Sequence, residues 1–121
     1  MLRIIAVIFG IAFIFAGVAG FLPSLAPDGF PLGYFQVNAM HNLVHIISGV
    51  IAIMAATSHK YSRLYFQVFG IIYAIVTIIG FARNGDLSFI MMQFNTADNI
   101  LHLVIALVAL YLGFFFKRSE V

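Results

Sequence analysis

Cysteine is absent from this 121-residue chain, which removes disulfides and thiolate metal ligation together and leaves the redox compartment unconstrained. Charge is scarce as well: Asp, Glu, Lys and Arg make up 8% of the residues. The pI near 9.2 suggests nucleic acid at first sight, but only six Lys and Arg are present and they lie at the ends of apolar runs, so no basic surface for a nucleic acid is expected. The single glutamate, Glu120, sits in the tail, and no nucleophile with a base beside it can be assembled from spacing. Hydrolytic covalent catalysis is therefore not expected. Metal-assisted chemistry stays open only where an ion would keep a free coordination position.

What the chain has instead is apolar surface. Hydrophobic residues make up 64% of it and the mean hydropathy is +1.12, more than one small water-soluble core can bury. A helix crossing the hydrocarbon layer needs about 20 apolar residues. Four such runs are present, at about 3–22, 36–57, 62–82 and 95–116, and they use most of the chain. The expectation is a single transmembrane domain over 1–121: an all-α, integral membrane four-helix bundle whose medium is the lipid bilayer. The link at 58–61 is short and forces an antiparallel pair, whereas 23–35 and 83–94 carry Pro23, Pro27, Pro31, Gly29, Gly33 and Gly85 and read as loops. Arg3, Lys60, Arg63, Lys117 and Arg118 fall on one side of this arrangement and Arg83 on the other, which by the positive-inside rule makes both termini cytoplasmic. Phe30, Tyr34, Phe35, Phe89 and Phe94 read as interfacial anchors at the outer side, where Arg83 and Asp86 are placed to pair. The first run also has the features of a cleaved signal peptide, with Arg3 at its start and GVAG as the cleavage site.

An internal match argues against that last reading. FGIAFIFAGVAGF at 9–21 aligns with FGIIYAIVTIIGF at 69–81, and QVNAMHNLVHIISGVIAIMAA aligns with QFNTADNILHLVIALVALYLG. Gln36, Asn38, Asn42 and His45 correspond to Gln93, Asn95, Asn99 and His102, with His41 against Asp98. Polar residues are rare in such segments, so their recurrence in register points to two parallel helix-hairpin repeats, about 1–58 and 59–121, related by an axis along the membrane normal.

Residues three and four apart share a helix face. His41 and His45 therefore stack on the second helix, and Asp98 and His102 on the fourth. Further along the same faces come Gly49, Ala52 and Ala56, and Ala106, Ala109 and Gly113, small residues that predict close contact between helices two and four. The glycines of helices one and three are placed either to pack around the same axis or to support a homo-oligomer.

Three imidazoles and a carboxylate near the outer face form a donor set for a transition metal ion such as zinc, held by His41, His45, Asp98 and His102. Asn38, Asn42, Asn95 and Asn99 flank these side chains and are placed to orient them. Ion binding or sensing is the function this implies. Three other readings use the same residues: a structural or accessory subunit whose polar groups are interhelical hydrogen-bond glue, with the asparagines capping the helix starts; a b-type haem held by His45 and His102 for electron transfer; or a proton or ion path. Met40, Met91 and Met92 lie at the same end and would favour copper unless they simply pack.

NAMHNLVHIISG, with DNILHLVIA later in the chain, resembles a small bacterial membrane family described as domain of unknown function 4383. That family is similar in having four predicted membrane helices, an N-x-x-H-x-x-x-H-x-x-x-G element in the second and an Asp-Asn-x-x-x-His element in the fourth. Here these are Asn38, His41, His45 and Gly49, then Asp98, Asn99 and His102. The resemblance spans nearly the whole chain and implies a multi-pass protein of the bacterial inner membrane, with no assigned reaction.

Overall fold

A computed structural model describes residues 1–27 and 35–116. The positions Gly29, Phe30, Pro31, Gly33, Tyr34, Lys117, Arg118 and Glu120 singled out above lie outside the described residues. Four helices follow in order: α1 (Leu2–Phe21), α2 (Ala39–Ala55), α3 (His59–Ala82) and α4 (Thr96–Leu110), the last continued by one turn of π-helix at Tyr111–Phe115.

Three of the helix starts are set by side chains. Asn38 is extended and its side chain accepts from the His41 amide, Ser58 does the same for Tyr61, and Asn95 forms a reciprocal capping box with Asp98. The Asn38 cap explains why α2 begins at Ala39 and not at Gln36, and leaves it 17 residues long. Between α3 and α4 the chain forms an antiparallel ribbon of β1 (Asp86–Leu87) and β2 (Met92–Gln93), with Asp86 opposite Gln93 and Leu87 opposite Met92. Gly85 enters this ribbon at φ 83°, where an added Cβ would collide with the Phe94 carbonyl. Arg83 donates Nε to the Asp86 backbone carbonyl at 2.8 Å, not to its carboxylate, and its guanidinium lies over the Phe89 ring. The Asp86 carboxylate instead accepts from Ser88, whose hydroxyl and amide hold it below the usual carboxylate range.

The helices pack as two tight hairpins. In α1–α2 a Cβ on Gly49 would lie 2.6 Å from the Gly10 carbonyl, and in α3–α4 a Cβ on Gly113 would lie 2.6 Å from the Gln67 amide. The expected seam between helices two and four is thereby corrected. Gly49 and Gly113 serve contacts inside their own hairpins, and α2 and α4 come together at the rings of His41, His45 and His102. Between the hairpins, Phe9 meets Phe66 edge to face at 5.0 Å, Phe13 stacks on Tyr73 at 5.6 Å, and the Tyr65 hydroxyl donates to the Ser48 carbonyl at 3.0 Å. Leu2, Ala6, Ala52, Ala56, Phe66, Ala109 and Leu112 close the core at the opposite end from the histidines.

The outward faces are apolar throughout, with Ile8, Phe15, Ile47, Ile78 and Leu107 all more than half exposed. Three helices are long and apolar enough to cross a membrane, and α2 is a shorter apolar helix. Such a surface suits lipid and not water, which makes this an integral membrane protein.

Candidate metal centre

The capping residues fix the depth of the site. His41 and Asp98 are each the third helical residue after an asparagine cap, and His45 and His102 follow one turn later. All four point inward, at 3%, 2%, 7% and 2% exposure for His41, Asp98, His45 and His102.

The three imidazoles converge. Nε2 of His41 stands 3.1 Å from Nε2 of His45, and one donor atom from each of His41, His45 and His102 lies within 4.8 Å of the others. The ring centroids form a triangle with sides of 4.4, 5.4 and 6.5 Å. Nδ1 of all three rings is buried without a hydrogen-bond partner. Aromatic rings surround the group: Phe13 lies 5.6 Å from His45, Tyr73 lies 5.8 Å from His102, and Phe94 lies 5.0 Å from His41 and 4.6 Å from His102. Phe94, expected as an interfacial anchor, is buried against the histidines because the β-ribbon folds it inward with Leu87 and Met92. Met92 packs in that same cluster, with Met40 against it.

Asp98 shares the cavity but its carboxylate has other partners. It accepts from the Asn95 amide at 2.9 Å and from the Gln36 amide at 3.1 and 3.2 Å, so it closes the capping box and ties the segment before α2 to the start of α4. The Asn95-Thr96-Ala97-Asp98 spacing carried that signal in the sequence. Asn38 caps α2 and donates Nδ2 to the Met91 carbonyl at 2.9 Å. Asn42 and Asn99 are buried under glycines: Oδ1 of Asn42 fills the place where a Cβ of Gly20 would stand, and Oδ1 of Asn99 does the same at Gly80. Neither oxygen has a conventional donor, and a glycine Cα–H is the group that faces each of them.

The donor set fits a small cation better than a haem. With metal–nitrogen bonds of about 2.0–2.1 Å, two ligands of a tetrahedral ion stand a little over 3 Å apart, and His41 and His45 already have that spacing. A haem between His45 and His102 would need the His41 ring to leave, since it stands beside the midpoint of the line joining them, inside the disc a porphyrin would occupy. A cavity of about 240 Å³ adjoins the three rings on the α1–α4 side, with Leu25, Phe35 and Val37 at its rim, and a smaller one of about 80 Å³ lies on the α2–α3 side.

Residues 3–115 match the profile of a family described as a domain of unknown function, DUF4383. No curated protein and no solved structure matches the chain significantly.

Proposed function

The chain belongs to the DUF4383 family, whose description carries no reaction, and from its own geometry we propose that it binds a transition metal ion, zinc among the candidates, through His41, His45 and His102. The observation that carries this reading is the convergence of three buried rings, with one donor nitrogen from each within 4.8 Å of the others. Neutral imidazoles are good ligands for such an ion, and a site walled by aromatic rings excludes the water that would compete with them. Asp98 then acts as a cap that holds His102 at the right depth, and the asparagines fix the helix starts and the hairpin contacts. The larger cavity adjoins all three rings and would give a bound ion access to a further ligand, an arrangement suited to ion binding or sensing.

The site is built, in this reading, by two parallel hairpin repeats. Several matched contacts support it: Gly20 with Asn42 and Gly80 with Asn99, Phe13 with His45 and Tyr73 with His102. Arg3 donates to the Ala56 carbonyl at 2.7 Å, and Arg63 to the Gly113 carbonyl at 3.3 Å, at equivalent places. Arg3, Lys60 and Arg63 gather at one end and Arg83 at the other, which supports cytoplasmic termini and an outward-facing histidine cluster in a bacterial inner membrane. Gly10, Gly17, Gly20, Gly70 and Gly80 are covered within the chain, so a homo-oligomer would have to use other faces.

The reading as hydrogen-bond glue is favoured by one contact, the direct Nε2 to Nε2 bond between His41 and His45. Metal analysis of the purified protein decides between the two. Stoichiometric metal in the native chain, lost in His45→Ala while helix content is kept, supports the site. No metal in a native chain refolded with excess zinc or cobalt, with His45→Ala only less stable, leaves the glue.

A further inference from the structure

The two hairpins leave unequal gaps between them. On the α2–α3 side Ile72 and Val76 fill much of the space, and the cavity beside the histidines is about 80 Å³. On the α1–α4 side the positions matching Ile72, Val76 and Ile79 in the internal alignment are Ala12, Ala16 and Ala19, and the cavity is about 240 Å³. It continues into a second hollow of about 320 Å³ lined by Ile8, Ala12 and Ile105, and the two share Ala16, His45 and Leu101. Together they form one apolar trough that begins on the lipid-facing surface and ends at the imidazoles. Ala16 is the midpoint of this path, a small residue where the other hairpin carries a branched one.

We propose that this trough binds a bilayer amphiphile with a single apolar chain and a neutral, oxygen-bearing head, the tail lying along α1 and α4 and the head reaching His41, His45 and His102. The tail is specified by a lining of alanine, isoleucine and leucine open to the hydrocarbon layer. The head must be polar, because the histidine rings at the end of the trough carry buried nitrogens with no partner. It is also not an anion. The Asp98 carboxylate borders the cavity and opposes an anion; Arg3 and Arg63 donate to helix carbonyls at the far end of the bundle, and Arg83, the arginine at this end, is held by the Asp86 carbonyl and the Phe89 ring and does not line the cavity. A carbonyl or hydroxyl oxygen meets these conditions, as found on a lipid quinone or a long-chain alcohol. It accepts from an imidazole N–H in the ion-free protein and ligates the ion when one is present, so this inference goes beyond the metal reading and stands without it.

The test is a titration of the full chain in nanodiscs of saturated phosphatidylcholine, with its histidine rings ¹⁵N-labelled, using a decyl-tailed benzoquinone in one arm and 1-decanol in the other. Each arm is run on chelator-treated and on zinc-loaded protein, with metal content measured separately, so that failure of the metal site is seen independently of failure of the trough. Saturable shifts of the His41, His45 and His102 ring signals are expected, with an apparent Kd at least tenfold weaker in Ala16→Trp, which plugs the path while leaving all three histidines in the chain. Leu101→Trp plugs the same junction from α4 and serves if Ala16→Trp does not fold. Response to the quinone alone assigns a ring carbonyl as the head, to decanol alone a hydroxyl, and to both any neutral oxygen. Shifts that rise linearly without saturation in both arms, or equal binding by native and plugged chains, overturn the proposal.

Discussion

Asn99 donates its side-chain Nδ2 to the carbonyl of Gly80 at 3.3 Å while its Oδ1 occupies the space a Cβ on that glycine would need. The amide is thus clamped to one residue of the neighbouring helix, and in the other hairpin Oδ1 of Asn42 takes the matching place against Gly20. Because lipid supplies no hydrophobic drive between helices, such contacts hold each hairpin together.

Gly80→Ala is expected to destabilise the protein by about 1–3 kcal/mol, the usual range for overpacking a closed site. Thermal unfolding in detergent micelles measures it. Adding Asn99→Ala removes the clash, so the double variant should be more stable than the sum of the two single losses implies. Strict additivity would mean that the two side chains do not meet.

Asp98→Asn separates cap from ligand. An amide cannot serve both the Asn95 and Gln36 amides as a carboxylate does, so a loss of about 1 kcal/mol is expected from the weakened capping box. Metal stoichiometry should remain that of the native chain, whereas His102→Ala should abolish it. Equal loss of metal from both variants would return Asp98 to the ligand set.

The Tyr65 hydroxyl gives the hairpins a buried polar tie through the Ser48 carbonyl. Tyr65→Phe leaves that carbonyl with its helical bond alone and should cost about 1 kcal/mol. Amide exchange in the middle of α2 should rise with it. Tyr61→Phe, at an exposed ring in the same helix, is the control and should change nothing.

The four helices were legible because a run of about 20 apolar residues has few soluble explanations, and the inward face of the second and fourth was legible from the spacing of His41, His45 and His102. Their neighbours were not. Gly49 and Gly113 announce that some backbone comes close, yet a small residue carries no address for its partner, and both turned out to serve their own hairpins. Asp98 was ambiguous for a related reason: a carboxylate one turn before a histidine suits a ligand pair and the third position of a capping box equally, and its bond from the Gln36 amide, far away in sequence, had no local signal. The inward turn of Phe94 depends on a ribbon of two-residue strands, too short for any alternation to reveal.

Arg63 is more than a topology signal and bears a further prediction. It donates Nη2 to the Phe116 carbonyl at 2.6 Å and Nη1 to the Gly113 carbonyl at 3.3 Å, while Gln67 donates to the same Gly113 oxygen at 2.9 Å. These carbonyls belong to the π-helical turn and the residue after it, where the regular ladder no longer supplies donors. A planar guanidinium spans both oxygens, whereas an ammonium reaches them as a single point. Arg63→Lys should therefore loosen the last turn partially and Arg63→Met more, with amide exchange at Leu112 to Phe116 rising about tenfold in the latter, the equivalent of roughly 1.4 kcal/mol. The metal content should not change, since the histidines lie at the other end of the bundle. If exchange in that turn stays at the native rate in Arg63→Met, Gln67 alone holds the turn and the arginine serves only to orient the chain in the membrane.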